Sequence, residues 1–315
     1  METTHDFDVI IIGAGAAGLS AAQMLGRSMR SVLVLDTSNP RNRFAGHMHG
    51  VLGGDGLSPR DFLARGRAEA TAYGVQFGAA GASTVAETAT GVAVATTDGS
   101  TFTARRLIAA TGVRDDLPPI PGLAEGWGRD VLHCPYCHGW EVRGQRIGVL
   151  ATSPMGLHQA HLLRQWSNDV VFLSADAGPI EDTVASTLAS RDVVIEDRRV
   201  LEVTRNDAGA LTGVRLEDGE HVGLDAIFTA GELHPQDGYL DGLALDRDEL
   251  PVGSFIHADF TGKTNNARIF AAGNITNPMA NVPISMAAGT MAGSMVNMDL
   301  VTEDFDLAAA GADAA

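Results

Sequence analysis

Apolar and polar positions alternate in blocks along this chain, and the blocks predict where strands and helices fall. A short apolar strand, Phe7 to Ile12, runs into a glycine cluster at Gly13, Gly15 and Gly18. A stretch rich in Ala and Leu follows with helical character, then a second apolar strand from Ser31 to Leu35 that ends in Asp36. The order strand, glycine turn, helix, strand and acid is a βαβ unit. Further apolar runs read as strands: "RRLIAA" before Thr111-Gly112, "QRIGVL" after residue 144, and "DVVFLSAD" from Asp169. Near the C-terminus "ARIFAAGN" predicts a strand and a turn at Gly273-Asn274, followed by a small-residue helix starting near Pro283. Residues 303–315, "EDFDLAAAGADAA", read as a frayed, disordered acidic tail.

The first βαβ unit carries a chemical expectation. Gly13 permits a tight turn, Gly15 lets backbone approach a pyrophosphate, and Gly18 allows close helix–strand packing. The helix N-terminus, with Ala16 and Ala17 in its first turn, then faces the phosphates. Asp36 stands 18 residues after Gly18, where a carboxylate accepts hydrogen bonds from ribose hydroxyls. Dinucleotide binding is therefore expected.

Composition narrows the partners. The formal net charge is −17, which repels phosphate backbones and anionic membranes, so nucleic acid and membrane are not expected. The opening residues lack a basic n-region, and no apolar run approaches the roughly 18 residues of a membrane span. A reducing, cytoplasmic location is expected.

Both cysteines lie in one string, His133-Cys134-Pro135-Tyr136-Cys137-His138. A CxxCH string fits a c-type haem attachment, half of a zinc site, or a redox dithiol with a histidine beside it. A zinc site needs four ligands, and no second cysteine pair exists; His133 and His138 adjoin the cysteines too closely to complete a tetrahedron. Covalent haem attachment needs export, which is not indicated. The redox dithiol is favoured, and no metal is expected.

Together these motifs resemble the low-molecular-weight thioredoxin reductase family of flavoproteins over roughly residues 6 to 300. The resemblance implies an α/β fold of two Rossmann-like dinucleotide-binding domains, the second inserted in the first. The FAD-binding domain would comprise 1–116 plus 245–302, and the inserted NAD(P)H-domain-like domain 117–244, carrying the CxxC. It also implies FAD as cofactor and a homodimer. By this resemblance Thr111 and Gly112 close the FAD domain, and Gly273-Asn274 replaces the usual Gly-Asp that accepts from the flavin's ribityl chain. Ser285, Met286 and Ala287 would start a helix at the flavin's pyrimidine edge. The loop holding Arg41, Arg43, His47 and His49 would wrap toward the isoalloxazine, with Arg43 and His49 as cofactor contacts. Cys134 would be the interchange thiol and Cys137 the flavin-side thiol. His138 stands where the reductases have Asp; imidazole, with an ordinary pKa of about 6.5, is matched to accept a thiol proton near neutrality. Glu141 either orients His138 or is a solvated surface acid.

The second nucleotide fingerprint looks degenerate. After "QRIGVL" the glycine positions hold Ala151, Ser153 and Gly156, with Pro154 between them, and the following strand leads to "AGPIEDT" without a base. Side chains there obstruct a pyrophosphate, and acids repel a 2′-phosphate. With "CPYCHGWE" and "NRFAGHMHG", this resembles the FAD-dependent dithiol oxidases of holomycin and gliotoxin type. That likeness implies oxidation of a small-molecule dithiol to a disulfide with O2 as acceptor. Two alternatives remain: a thioredoxin reductase-like enzyme fed by ferredoxin or NAD(P)H, and a flavin redox sensor without turnover.

Overall fold

The computed structural model describes residues 5–153 and 155–313. Its helices are α1 (Ala16–Arg27), α2 (Pro59–Ala72), α3 (Pro135–His138), α4 (Gly156–Leu163), α5 (Asp182–Ala189) and α6 (Val282–Asp313). The chain divides into two compact units. The first combines the chain up to Arg41 with Arg60–Arg114 and everything from Leu233 onward; the second combines Asn42–Pro59 with Asp115–Glu232. Three segments are thus distributed differently from the expected boundaries. Residues 233–244 fall with the first unit, and 42–59 and 115–116 fall with the second.

The first unit is built on a seven-stranded sheet in the order Gln76–Gly78, Val32–Leu35, Phe7–Ile12, Thr101–Ala109, Val92–Thr96, Ala82–Glu87. Ile269–Ala271 pairs in parallel with the far half of Thr101–Ala109. The continuous apolar run of the first strand has a simple cause. Val9 and Ile11 enter the core on one face while Ile10 and Ile12 enter the core on the other, so both faces must be apolar. Helices α1 and α6 cover the first of these faces, and their backbones approach closely. A Cβ on Gly289 would overlap the Ala17 carbonyl oxygen, and one on Gly293 would lie 2.9 Å from that of Ala21.

The second unit repeats the plan with five parallel strands, in the order Val193–Glu196, Asp169–Leu173, Arg146–Leu150, Ala226–Thr229, Val131–Leu132. An antiparallel three-stranded sheet, Val200–Arg205, Leu211–Leu216 and His221–Gly223, accompanies it. Val170 and Phe172 face one core and Val171 and Leu173 the other. Both units are Rossmann-like.

Residues 303–313 are not a frayed tail; they continue α6. Long-range ion pairs explain the correction. Arg106, whose side chain is only 9% exposed, meets Asp299 at 2.6 Å and Glu303 at 3.3 Å. Arg105 meets Glu303 at 2.7 Å and Asp304 at 2.6 Å, and Arg30 meets Asp304 at 2.9 Å. Exposed pairs contribute less than about 1 kcal/mol each. A buried arginine stripped of its carboxylate costs about 3 kcal/mol or more. Arg106 therefore holds the acidic end of the helix against the sheet. No helix among the described residues is long and apolar enough to cross a membrane.

Replacing Gly289 by Ala puts a methyl group into a backbone carbonyl and should cost about 2 kcal/mol, typical of overpacking. A lowered Tm in thermal unfolding checks this; an unchanged Tm contradicts the close contact of α1 with α6.

Candidate functional site

The glycine turn of the first unit has the properties an anionic dinucleotide needs. Gly13 adopts φ +101°, and a Cβ there would lie 2.8 Å from the Ala110 carbonyl carbon. A Cβ on Gly18 would overlap the Gly13 carbonyl oxygen. Gly15 differs: nothing lies within 4 Å of its would-be Cβ. Two glycines therefore shape the turn, and the third leaves open space at the start of α1. That helix has no side-chain N-cap and no acid in its first turn, which holds Ala16 and Ala17, so its leading N–H groups are available to phosphate. The residues fit the pyrophosphate of FAD. Asp36 Oδ1 accepts from the Ala14 N–H at 3.0 Å, which ties the second strand's end to the turn. Its Oδ2 accepts from Ser38 N at 3.1 Å and from Arg67 at 3.2 Å. Oδ1, with a single donor, keeps a lone pair for a ribose hydroxyl.

The C-terminal segment meets the same turn. Gly273 has φ +84°, and a Cβ there would lie 3.0 Å from Ala17 Cβ. The Asn274 amide nitrogen faces three carbonyls, of Asn277 (3.0 Å), Pro278 (3.2 Å) and Ala280 (2.9 Å). Only the NH2 end of the side chain can do this, so its oxygen is the acceptor left for a ribityl hydroxyl. Thr111 donates its hydroxyl to the Gln236 carbonyl at 2.6 Å, and Gly112 accepts from Gln236 N at 3.0 Å. Thr111 thus clasps the turn, while Gly112, at φ +68°, borders Asn274.

Helix α6 begins earlier than its expected donors require. Asn281 caps it, with its side-chain oxygen accepting from Ile284 N at 3.1 Å, and Ser285 N already bonds to the Asn281 carbonyl at 2.9 Å. The N–H groups of Ser285, Met286 and Ala287 belong to the helix's own ladder and are not free first-turn donors. Ser285 is buried close to Gly273, so its place at the cradle is a packing one.

In the second unit, Cys134 and Cys137 form a disulfide with Cα atoms 5.2 Å apart. Cys134 caps the single turn α3 and Cys137 lies within it; its first residue is Pro135, and the Cys137 and His138 N–H groups both bond to the Cys134 carbonyl at 3.1 Å. Pro at this position loses no helical hydrogen bond. Gly139 follows because a Cβ there would lie 2.8 Å from Cδ2 of Trp166. Trp166 also packs edge-on against Tyr136, with centroids 5.8 Å apart. Tyr136 and Trp140 remain exposed on either side of Cys137, and Arg143 lies over Trp140.

His138 is partly buried, and its Nδ1 is buried without a hydrogen-bond partner. Burial is the main cause that pushes its pKa below the ordinary 6.5; Glu141 opposes this and His49 adds to it. A neutral imidazole adjoining a thiol pair can accept a proton. Glu141 does not hydrogen-bond His138. Its carboxylate lies 3.4 Å from His49 Nε2.

Arg43 and His49 belong to the second compact unit, where Arg43 lies over the Phe44 ring and His49 sits between Asp55 and Glu141. Nothing local in the sequence announces the pairing of His49 with Glu141, and Arg67 beside Asp36 gave no signal either. Gln159 donates to the His133 carbonyl at 2.8 Å, and the His133 ring lies tilted against Trp127.

At the second fingerprint Ala151 is buried, and its N–H is bonded to Leu173. It is not among the described residues with positive φ, so the left-handed turn made by Gly13 is not repeated there. Gly156 has a packing role, since its Cβ would lie 2.6 Å from that of Ala151. Pro154 lies outside the described residues. Past the next strand, Asp176 pairs with Arg199 at 3.2 Å. A base does reach this region from a neighbouring segment, but it meets a carboxylate there.

The model for the pyridine nucleotide-disulphide oxidoreductase family matches residues 7–289. The chain is 33% identical over 317 residues to the thioredoxin reductase tcpT of Claviceps purpurea, covering 96% of this chain and 97% of that protein. It is 31% identical to the thioredoxin reductase sirT of Leptosphaeria maculans, covering 95% of each. The crystal structure of HlmI is similar with a TM-score of 0.93 at 38% identity, covering 99% of this chain and 98% of that one.

Replacing Asn274 by Asp would turn a carboxylate toward three carbonyl oxygens. The expected outcome is a loosened 277–280 loop and weaker flavin retention, measured as FAD lost on gel filtration. Full retention with an unchanged Tm would contradict the assigned amide orientation.

Proposed function

The chain belongs to the pyridine nucleotide-disulphide oxidoreductases and is an FAD-binding flavoprotein that acts on disulfides, and from that premise we propose that it is a dithiol oxidase. It converts a small-molecule dithiol, of dithiolopyrrolone or related natural-product type, into an intramolecular disulfide, with O2 as acceptor. The observation that carries this reading is the second dinucleotide fold, where buried Ala151 occupies the turn that a pyrophosphate needs open. A nicotinamide-dependent reductase must draw hydride from a nicotinamide bound there, whereas an oxidase has no use for one. The reading also has the enzyme working as a cytoplasmic homodimer, and its net charge of −17 disfavours nucleic acid and anionic membranes.

His138 accepts a proton from one substrate thiol, and the thiolate attacks Cys134 Sγ, breaking the disulfide and releasing Cys137 as thiolate. The second substrate thiol, deprotonated in turn, attacks the substrate sulfur of the mixed disulfide, closing the product and releasing Cys134. When bound, FAD supplies the chemistry that takes the electron pair from the enzyme dithiol and passes it to O2, which leaves as H2O2. Each turnover therefore consumes one dithiol and one O2 and yields one disulfide and one H2O2. The exposed Tyr136 and Trp140, which stand on either side of Cys137 along the chain, offer apolar surface to the substrate.

Anaerobic NADPH should leave the oxidised flavin unbleached, while a small dithiol such as dithiothreitol should bleach it and, in air, drive O2 uptake. Rapid bleaching by NADPH would sink the proposal, and thioredoxin reduction by a one-electron donor without O2 uptake would favour a reductase. Cys134→Ser and Cys137→Ser should fall to background. His138→Ala should lose roughly 10²-fold, the usual contribution of a general base.

The lowered pKa of His138 also sets the pH dependence. The neutral form is the base, so the rate holds as pH falls to the ordinary 6.5 and declines only below it. A rate profile with its acid limb above 6.5, or an acid limb that persists in His138→Ala, would remove the assigned role.

A further inference from the structure

Helix α6 is apolar on two opposite sides. One side is packed: Gly289 and Gly293 meet α1, and Ala292, Val296 and Leu300 join the core of the first unit. The other side is open. Ile284, Met291, Met298 and Phe305 are 47%, 40%, 60% and 74% exposed, and they recur at every seventh residue. Positions seven apart keep to one stripe of a helix, here about 30 Å long. Ala287, Ser294 and Val301 lie between them on the same stripe. From Val282 to Met298 the helix carries no charged residue, although the chain has a net charge of −17. The next acids, Asp299 and Glu303, turn to Arg106 and Arg105 and leave the stripe uncharged. A helix that is apolar all round belongs in an interior, and one side of α6 has none within the chain.

We propose that this face seats the same helix of a second copy of the chain, antiparallel to it across a two-fold axis. The inference deepens the homodimer of the proposed reading and rests on it, by naming the surface that makes the dimer. The stripe is complementary to itself. Large and smaller residues alternate along it, and antiparallel pairing sets each large one against a smaller one of the other copy. Met291 then faces the partner's Ser294, Met298 the partner's Ala287, and Ile284 the partner's Val301. The two-fold axis repeats each contact. Charge selects the antiparallel sense. The first turn of α6 contains no acid, and its far end carries the exposed Asp304 and Asp306. Antiparallel pairing brings those carboxylates to the positive end of the partner's helix dipole, whereas parallel pairing would crowd them together. A basic protein partner would find no carboxylate on the stripe between Ile284 and Met298.

The test is the mass of the FAD-loaded protein in solution, followed by sedimentation velocity over a dilution series. The wild-type chain should sediment as a dimer. Met291→Glu and Met298→Glu each put a charge into the apolar seam while leaving the packed side of α6 alone. Each should raise the dimer dissociation constant by more than about 10²-fold, the effect of an unpaired buried charge. Leu201→Glu, at an exposed apolar position of the second unit, should leave the dimer intact, and its dissociation would overturn the assignment. Mixing Met298→Glu chains with Ala287→Lys chains should restore a dimer, because the antiparallel register sets these positions opposite each other. Failure of the mixed chains to pair overturns that register. A dimer that survives both Glu variants overturns α6 as the interface and keeps the homodimer. A monomeric wild-type chain overturns both, and its flotation with phosphatidylcholine vesicles would give the stripe to a lipid surface instead. If one Glu variant fails to retain FAD, the other decides.

Discussion

The contact between Gly13 and the end of the strand at Ala110 is the constraint on which the first unit is built. The first strand lies beside the strand that ends at Ala109, and the chain must turn immediately into α1 with carbonyl groups only a van der Waals radius away. Any side chain at Gly13 or Gly18 would occupy backbone. Meeting this constraint with glycine puts the start of α1 directly over the sheet, and the third glycine then leaves the space in which a pyrophosphate fits. Asp36 fastens the same turn through the Ala14 N–H, so the cradle and the ribose acid are one hydrogen-bonded piece.

The second unit shows what happens when the fold is kept and the constraint is relaxed. Its parallel strands and α4 repeat the plan, but buried Ala151 meets Gly156 where a glycine turn would stand. The second unit also carries the dithiol turn, whose own geometry depends on small details: Pro135 starting α3, and Gly139 leaving room for Trp166. The chemistry of the turn then depends on charge. Burial strips His138 of water, and the neighbouring Glu141 and His49 oppose each other, so the imidazole is governed by its environment more than by its partners.

Long-range electrostatics also correct the ends of the elements. The last part of α6 is acidic and rich in alanine, a composition that suggests fraying when taken alone. It persists as helix because Arg30, Arg105 and Arg106 present a row of cations to Asp299, Glu303 and Asp304. The buried member, Arg106, gives that row its weight, because an unpaired buried guanidinium costs far more than an exposed one.

What the sequence by itself determined is local. Glycine spacing, apolar strands buried on both faces, the acid at Asp36, the CxxCH string and the spoiled second fingerprint are all written within short windows, because backbone conformation and burial act on neighbouring residues. What only the tertiary structure decided joins residues far apart: His49 on Glu141, Arg199 on Asp176, Arg67 on Asp36, and the arginines that hold α6. Charge has no periodicity along a chain, so a pairing between two distant loops leaves no mark in either. The orientation of Asn274 belongs to the same class. The residue is plain in the sequence, but the three carbonyls that take the NH2 end of its amide come together only in the fold.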